Sequence, residues 1–366
     1  MRKIKVDLGK NSYNIMICSN EISKLGARLK RLGMGRDAVI ITNARVKRLF
    51  GGKIKKSLTD NGINAYFRII PDTEKAKSEK YCMKLLNDIS EFDSLGRRVF
   101  IVALGGGVVG DLAGFVASVY KRGIPYAQVP TTLLAQVDSA IGGKVAIDLS
   151  IAKNMVGAFY QPRLVYVDVS FLKTLPRKEL VSGLAEVIKY GVIKSPGLFK
   201  FVRKNLSKIL NRDADSLRRV VSECGAIKAG FVKKDERDNK GIRIALNLGH
   251  TIGHAIETAG NYGKTYGHGQ AIALGMLSSA YLSERLGLWQ KKDSAMLKDL
   301  IKKTGLPVTL KGVRMSSIIS SQRHDKKFTR GKNRFVLPAK IGKVIVRENI
   351  PESLIRKSIA ILYEPE

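Results

Sequence analysis

Histidine is scarce in this chain, and three of its four copies (His250, His254 and His268, with His324 apart) fall in GHTIGHAIETAGNYGKTYGHG, residues 249–269. His250 and His254 are spaced i, i+4 and share a helix face. His268 follows a Gly/Asn/Tyr-rich loop able to fold it back toward them. Neutral imidazoles brought together in this way suit a divalent transition metal. HTIGH lacks the Glu that follows the first His of a zinc protease, so protease chemistry is not indicated. A catalytic zinc takes three protein ligands and keeps one position open. Glu186 in LAEVIKYG, on an otherwise apolar helix, is best placed to complete the set. The plain alternative is a group of core or surface histidines.

A second candidate is GGGVVG at residues 105–110, which fits G-x-G-x-x-G through Gly105, Gly107 and Gly110, with Gly106 between them. It follows an apolar strand-like run and opens a helix, where glycines admit a pyrophosphate to free helix N–H groups. No acid stands at the usual spacing beyond it, and a tight strand-to-helix turn explains the same residues. PTTLLAQVDSAIGGK and KNMVGAF set Thr131, Thr132, Asp138, Lys144, Lys153 and Asn154 among small apolar residues. Lysines so placed are paired or functional if buried, or snorkel to the surface. Lys189, Lys228, Arg243, Asn247 and Arg334 are further polar candidates that carry little singly.

The elements that must position these residues divide into two textures. KIKVDL and SYNIMIC read as a strand pair, and AVIITN, INAYFRII, RRVFIVAL and RLVYVDVS as further strands. Helical spacing runs over residues 78–93 and after the glycine turn. This alternation predicts a parallel sheet covered by helices. Beyond Leu175-Pro176 amphipathic helical periods dominate. The expected organisation is an α/β nucleotide-binding domain over 1–175 and a helical domain over 176–366, two domains being usual for 366 residues.

Lys plus Arg number 65 against 31 Asp plus Glu, a net charge of +34. Such a charge invites a nucleic-acid reading. Between Phe100 and Ser170, however, five basic residues face four acidic ones, a balance of 5 − 4 = +1. The excess therefore reads as a solvated surface, with no nucleic-acid motif and no nucleic-acid partner expected. Three widely spaced cysteines exclude a disulfide framework. No apolar run reaches membrane-span length, and the charged MRKIKVDLGK has no secretory core, so a cytoplasmic location without membrane contact is expected.

Taken together, PDTEKAK, ALGGGVVGDLAGFVASVYKRGI, QVPTTLLAQVDSAIGGK, KNMVGAFYQP, LKTLP, GLAEVIKYG, LNLGHTIGHAIE, YGHG, DKK and RFVLPAKIGKV occur in an order that resembles the 3-dehydroquinate synthase family of sugar phosphate cyclases. The resemblance implies an N-terminal nucleotide-binding α/β domain with a parallel sheet, an all-α C-terminal domain and an active site in the cleft between them. It implies NAD and a divalent metal, usually zinc, with cobalt an alternative. The metal ligands would fall on Glu186, His250 and His268. NAD contacts would fall on Asp72, Glu74 and Lys77, on the turn Gly105, Gly106, Gly107 and Gly110 with Asp111, and on Thr131, Thr132, Lys153 and Thr174, with Lys144 beside them. Asp138, Lys144, Lys189, Lys228, Arg243, Asn247 and His254 would form the catalytic set. Asn154 and Arg334 would bind substrate, together with an Arg122 that reaches the neighbouring subunit's site in a homodimer.

The implied reaction is step two of the shikimate pathway, conversion of 3-deoxy-D-arabino-heptulosonate 7-phosphate to 3-dehydroquinate and phosphate. Oxidation at C5 by NAD acidifies the adjacent C–H, phosphate is eliminated, the hydride returns, and the ring opens and recloses. The net result is a phosphorus–oxygen lyase reaction without net redox. The departures from the family pattern are small. Gln270 replaces a usual carboxylate and bears on the orientation of His268. Asp238 stands for Glu in a DERDNKGIR segment one residue longer, Ala152 for Gly, and Lys178 for Arg. Rival readings are another cyclase, such as a 2-deoxy-scyllo-inosose or valiolone synthase, and a metal-dependent alcohol or glycerol dehydrogenase.

Overall fold

The computed structural model describes residues 1–93, 97–149, 152–260, 265–323 and 333–363; His324 and the DKK string lie outside them. The chain forms two compact units, one of residues 1–175 with 214–237, the other of residues 176–213 with 238–366. The sequence reading expects one crossing near 175. The chain also crosses near 213 and 237, because the helix Ala214–Lys234 lays its apolar stripe (Leu217, Val220, Val221, Cys224) in the first unit. Periodicity reveals that a helix is amphipathic but not which core takes its face.

The first unit is built on a seven-stranded sheet of β1 (Arg2–Val6), β2 (Tyr13–Cys18), β3 (Asp37–Asn43), β4 (Asn64–Ile70), β5 (Val99–Gly105), β6 (Tyr126–Pro130) and β9 (Leu164–Asp168). Their order is β1-β2-β9-β6-β5-β3-β4. β1 runs antiparallel to β2, while β2, β9, β6, β5, β3 and β4 are mutually parallel. Residues two apart on each strand share a face. Ala38, Ile40, Phe100, Val102 and Leu104 enter one core layer. Val39, Ile41, Val99, Ile101 and Ala103 enter the other with Leu112, Ala113 and Val116 of the helix Gly107–Val119. Burial on both faces explains why β3 and β5 read as continuous apolar runs.

Ligands of open parallel sheets gather beyond the carboxyl ends of the strands. There β4 leads to Asp72, β5 to the glycine turn, β6 to Thr131 and Thr132, and β9 to Thr174. An antiparallel ribbon, β7 (Lys144–Leu149) with β8 (Ala152–Phe159), carries Lys144, Lys153 and Asn154.

The second unit is mainly helical. The helix Arg177–Ile193 packs on Pro196–Leu210 and on His268–Arg285, and the last of these packs on His250–Ala259. A two-stranded ribbon, β10 (Arg334–Lys340) with β11 (Lys343–Glu348), is added to the helices. Among the described residues no helix is long and apolar enough to cross a membrane.

Candidate active site

In the second unit the helix Arg177–Ile193 is buried on nearly every side from Leu180 onward. Within it Glu186 is wholly buried and Lys189, one turn on, is 1% exposed. Burying either charge alone is costly. Here the Lys189 ammonium ion-pairs with Glu186 Oε2. The other oxygen, Oε1, faces His268 Nε2 at 3.2 Å and His250 Nε2 at 3.6 Å.

Backbone contact sets this convergence. A Cβ on Gly269 would lie 2.3 Å from the Ser182 carbonyl oxygen, and one on Gly275 would lie 1.9 Å from the Gly249 carbonyl oxygen. Only glycine permits such approach, so the His268 helix meets the Glu186 helix at Ser182 and the His250 helix at Gly249. Gly269 N–H also donates to Ser182 Oγ at 3.2 Å.

The donor set fits a metal. Bonds of about 2.0–2.1 Å on a tetrahedron put neighbouring donors roughly 3.3 Å apart. The Glu186–histidine separations straddle that spacing, and all three donor atoms lie within 4.8 Å of one another. His250 Nδ1 lies 3.1 Å from the Leu248 carbonyl oxygen. That carbonyl can only accept, so a neutral His250 carries its proton on Nδ1 and offers the Nε2 lone pair. Burial alone would push His268 down in pKa. The Glu186 and Glu257 carboxylates outweigh burial and raise it from its ordinary value to about 10. The protein surrounds this point with more negative charge than neutral imidazoles answer. His254 stands edge-on to His250, ring centroids 5.1 Å apart. Arg243, which is buried, and Asn247 belong to the short helical segment Arg243–Asn247 just before His250.

In the first unit Lys77, 3% exposed, brings together the predicted Asp111 and Asn154. Its Nζ donates to Asp111 Oδ2 at 2.8 Å and to Asn154 Oδ1, and stands 3.9 Å from Asp148 Oδ1. Burial would lower the Lys77 pKa, but Asp111 outweighs it and the net direction is up. Asp72 accepts a hydrogen bond from Asn43 Nδ2 at 2.7 Å, and Glu74 lies 3.6 Å from Lys153 Nζ. Lys228 Nζ donates to both the backbone oxygen and the carboxylate of Asp138.

The glycine turn separates into two roles. A Cβ at Gly105 would strike Val109 Cγ2 at 2.5 Å, and one at Gly110 would strike Gln128 Oε1 at 2.8 Å. Those two serve helix–sheet packing. Gly106 and Gly107 open the helix Gly107–Val119, whose first-turn N–H groups have no intrahelical acceptor. This fits a dinucleotide's phosphates. Thr131 N–H donates to the Gly105 oxygen at 2.9 Å, Thr132 Oγ1 accepts from Ala135 N–H, and Thr174 Oγ1 donates to the Phe171 oxygen.

Three further predicted residues are exposed. Arg334 is exposed and donates through Nε at 2.7 Å to Glu348 Oε1 across the β10–β11 ribbon, where its Nη2 also pairs. Lys144 is exposed at the start of β7. Arg122 is exposed in a turn where Lys121 (φ 48°) and Arg122 (φ 61°) are both left-handed, anchored by Lys121 and Tyr120 on Asp93. Such backbone costs energy in a non-glycine residue and marks positions held for a reason.

Sequence reasoning missed Asn43, Asp148, Ser182 and Glu257. Glu257 alone left a signal, lying three residues beyond His254 and seven beyond His250 on one helix face. Gln270, suspected of bearing on His268, is exposed. Its Oε1 accepts from Gly267 N–H at 2.9 Å and so caps the helix.

A nucleotide-type sheet in one unit and a buried Glu–His–His set in the other define a class. The fold is shared with a 2-deoxy-scyllo-inosose synthase solved with carbaglucose-6-phosphate, NAD+ and Co2+ (TM-score 0.89, 24% identity, 98% of this chain and 99% of that one). It is shared also with a 2-epi-5-epi-valiolone synthase from Streptomyces hygroscopicus solved with NAD+ and Zn2+ (TM-score 0.87, 23% identity, 97% and 98%). At these identities the likeness establishes the fold.

Sequence narrows the class. The 3-dehydroquinate synthase N-terminal family matches residues 67–182 and its C-terminal counterpart residues 183–328. A 3-dehydroquinate synthase from Desulforamulus reducens is 46% identical over 354 residues, 96% of this chain and 98% of its own. The chain belongs to the 3-dehydroquinate synthase family.

Proposed function

We propose that the chain converts 3-deoxy-D-arabino-heptulosonate 7-phosphate to 3-dehydroquinate and phosphate, as a phosphorus–oxygen lyase acting in the cytoplasm with NAD and a divalent metal, zinc or cobalt. The observation that carries the reading is near-full-length similarity at 46% identity to a 3-dehydroquinate synthase, with every expected metal ligand present. When bound, the metal supplies Lewis acidity toward a substrate hydroxyl, and NAD a reversible oxidation that acidifies the neighbouring C–H.

Glu186, His250 and His268 would hold the metal. Lys189, paired with Glu186 Oε2, leaves Oε1 turned to the two histidines. Gly106 and Gly107 would receive the pyrophosphate, with Asp72, Glu74, Lys77, Asp111, Thr131, Thr132, Lys153 and Thr174 arranged for the rest of the nucleotide. Lys228, set by Asp138, and the buried Arg243 are fixed cations for a substrate bearing carboxylate and phosphate. His254 is assigned proton transfer beside His250, with Asn247 and Lys144 as further polar contacts. Asn154 would exchange Lys77, and Arg334 would exchange Glu348, for the substrate. Arg122, exposed on its strained turn, would serve the neighbouring subunit of a homodimer.

Substrate competition tests the reading. Zinc- and NAD-loaded protein offered heptulosonate phosphate or glucose 6-phosphate separately is expected to release phosphate only from the first. Release from the second alone would assign it to the inosose synthases.

A further inference from the structure

We infer that Glu257 is the positioning residue of the metal centre, fixing the tautomer and ring orientation of His268. The inference rests on the metal reading above. An imidazole presents a lone pair on one nitrogen only if the other carries the proton, and whatever accepts that proton aims the ring.

For His250 the acceptor is the Leu248 backbone oxygen, 3.1 Å from Nδ1. For His268 it is a side chain. Its Nε2 faces Glu186 at 3.2 Å while its Nδ1 faces Glu257 Oε2 at 3.4 Å. Glu257 is 13% exposed and follows His250 by two helical turns, so one face of the helix His250–Ala259 supplies both a ligand and the group that aims the next ligand. The other candidate, position 270, is excluded by its exposure and by the use of Gln270 Oε1 on Gly267 N–H.

The two histidines thus differ in kind. The support of His250 is backbone and cannot be removed by substitution, whereas that of His268 is one carboxylate and can. Removing such a support costs roughly 10–100-fold in metal affinity.

The experiment titrates zinc into metal-free protein against a chromophoric chelator, for the parent chain, Glu257→Gln, Glu257→Ala, Gln270→Glu and Glu186→Ala. Expected affinities follow the order parent, then Glu257→Gln, then Glu257→Ala weakened about 10–100-fold, with Gln270→Glu unchanged. The His268 Nδ1–H proton, seen by NMR in the zinc-loaded parent, is expected to shift and exchange faster in Glu257→Ala. Thermal melts of the metal-free variants identify any that fail to fold, and the near-isosteric Gln variant covers failure of Ala. Parent-like affinity in a folded Glu257 variant, or an unmoved His268 proton, overturns the inference alone. Zinc binding by Glu186→Ala equal to the parent's, or none by the parent, overturns the metal reading instead.

Discussion

Two buried lysines, Lys77 in the first unit and Lys189 in the second, solve the same problem in opposite ways. Lys77 is surrounded by acceptors: Asp111, Asp148 and Asn154 all turn to it, and its ammonium is held charged above its ordinary range. Lys189 pairs with one oxygen of Glu186, and the other is turned to two histidines. Around Lys77 the ammonium itself lies between two carboxylates, and burial still raises the Asp111 pKa. Around Glu186 and Glu257 the carboxylates face the two nitrogens of the His268 ring instead and, against burial, raise its pKa. The first arrangement is a brace; the second is a donor set that suits a cation. The difference teaches that a buried acid reports a metal site when its hydrogen-bonding partners are themselves lone-pair donors.

The sharpest way to break this contrast is to remove a donor. Glu186→Ala or His250→Ala is expected to lose bound metal after dialysis and at least ~10³-fold in turnover, since several kcal/mol of Lewis-acid stabilisation disappear. Full metal occupancy by elemental analysis in either variant would contradict the ligand set.

Lys77→Met tests the brace. It strands Asp111 and Asp148 and is expected to destabilise the protein by about 3 kcal/mol in denaturant unfolding, with zinc affinity unchanged. A neutral effect on stability would mean that solvent already screens those carboxylates.

Gly269→Ala tests the backbone approach that delivers His268. The added methyl meets the Ser182 oxygen at 2.3 Å, so a loss of roughly 1–3 kcal/mol is expected, with weaker zinc binding, because the helices must part. A stable variant with parent affinity would show that the approach is not required.

The proton on His268 gives a graded effect, small per pH unit, and the clearest sign. Zinc must displace that proton, held up to a pKa of about 10. Apparent zinc affinity is therefore expected to rise with pH, by about tenfold per unit at most, until it levels near 10. In the metal-free protein the sign reverses. The raised pKa stabilises the fold fully below the ordinary imidazole value of 6.5, and this is lost as pH rises toward about 10. Zinc affinity flat across that range would place the proton elsewhere.

Much of this was legible in the sequence because strands buried on both faces leave apolar runs and because His250, His254 and Glu186 lie on periodic helices. The β3, β5 and β9 runs and the helix at Glu186 are readable in that way, while the edge strands β1 and β4 are only partly buried and read from their β-branched and aromatic residues. The β7–β8 ribbon was not, since its residues drew attention as polar candidates and their short alternation is mixed with glycine. The partner of the helix Ala214–Lys234 is not legible, because an apolar stripe does not name the core that takes it. Gly269 and Gly275 look like ordinary helix glycines until the carbonyl each one admits is seen. Gln270 drew attention as a departure at a metal site, yet its side chain caps a helix, while Glu257, which matches the family string LNLGHTIGHAIE, does the work expected there. The excess of the +34 charge has no structural counterpart in either cluster, where nearly every lysine has a named acid.

The central claim is that NAD acts catalytically in phosphate elimination, with the hydride returned at each turnover. Zinc-loaded protein given heptulosonate phosphate and less than one equivalent of NAD is expected to release many equivalents of inorganic phosphate while NADH absorbance stays flat. Phosphate release that stops at one equivalent per NAD with NADH accumulating, or no release with metal and NAD both bound, would contradict it.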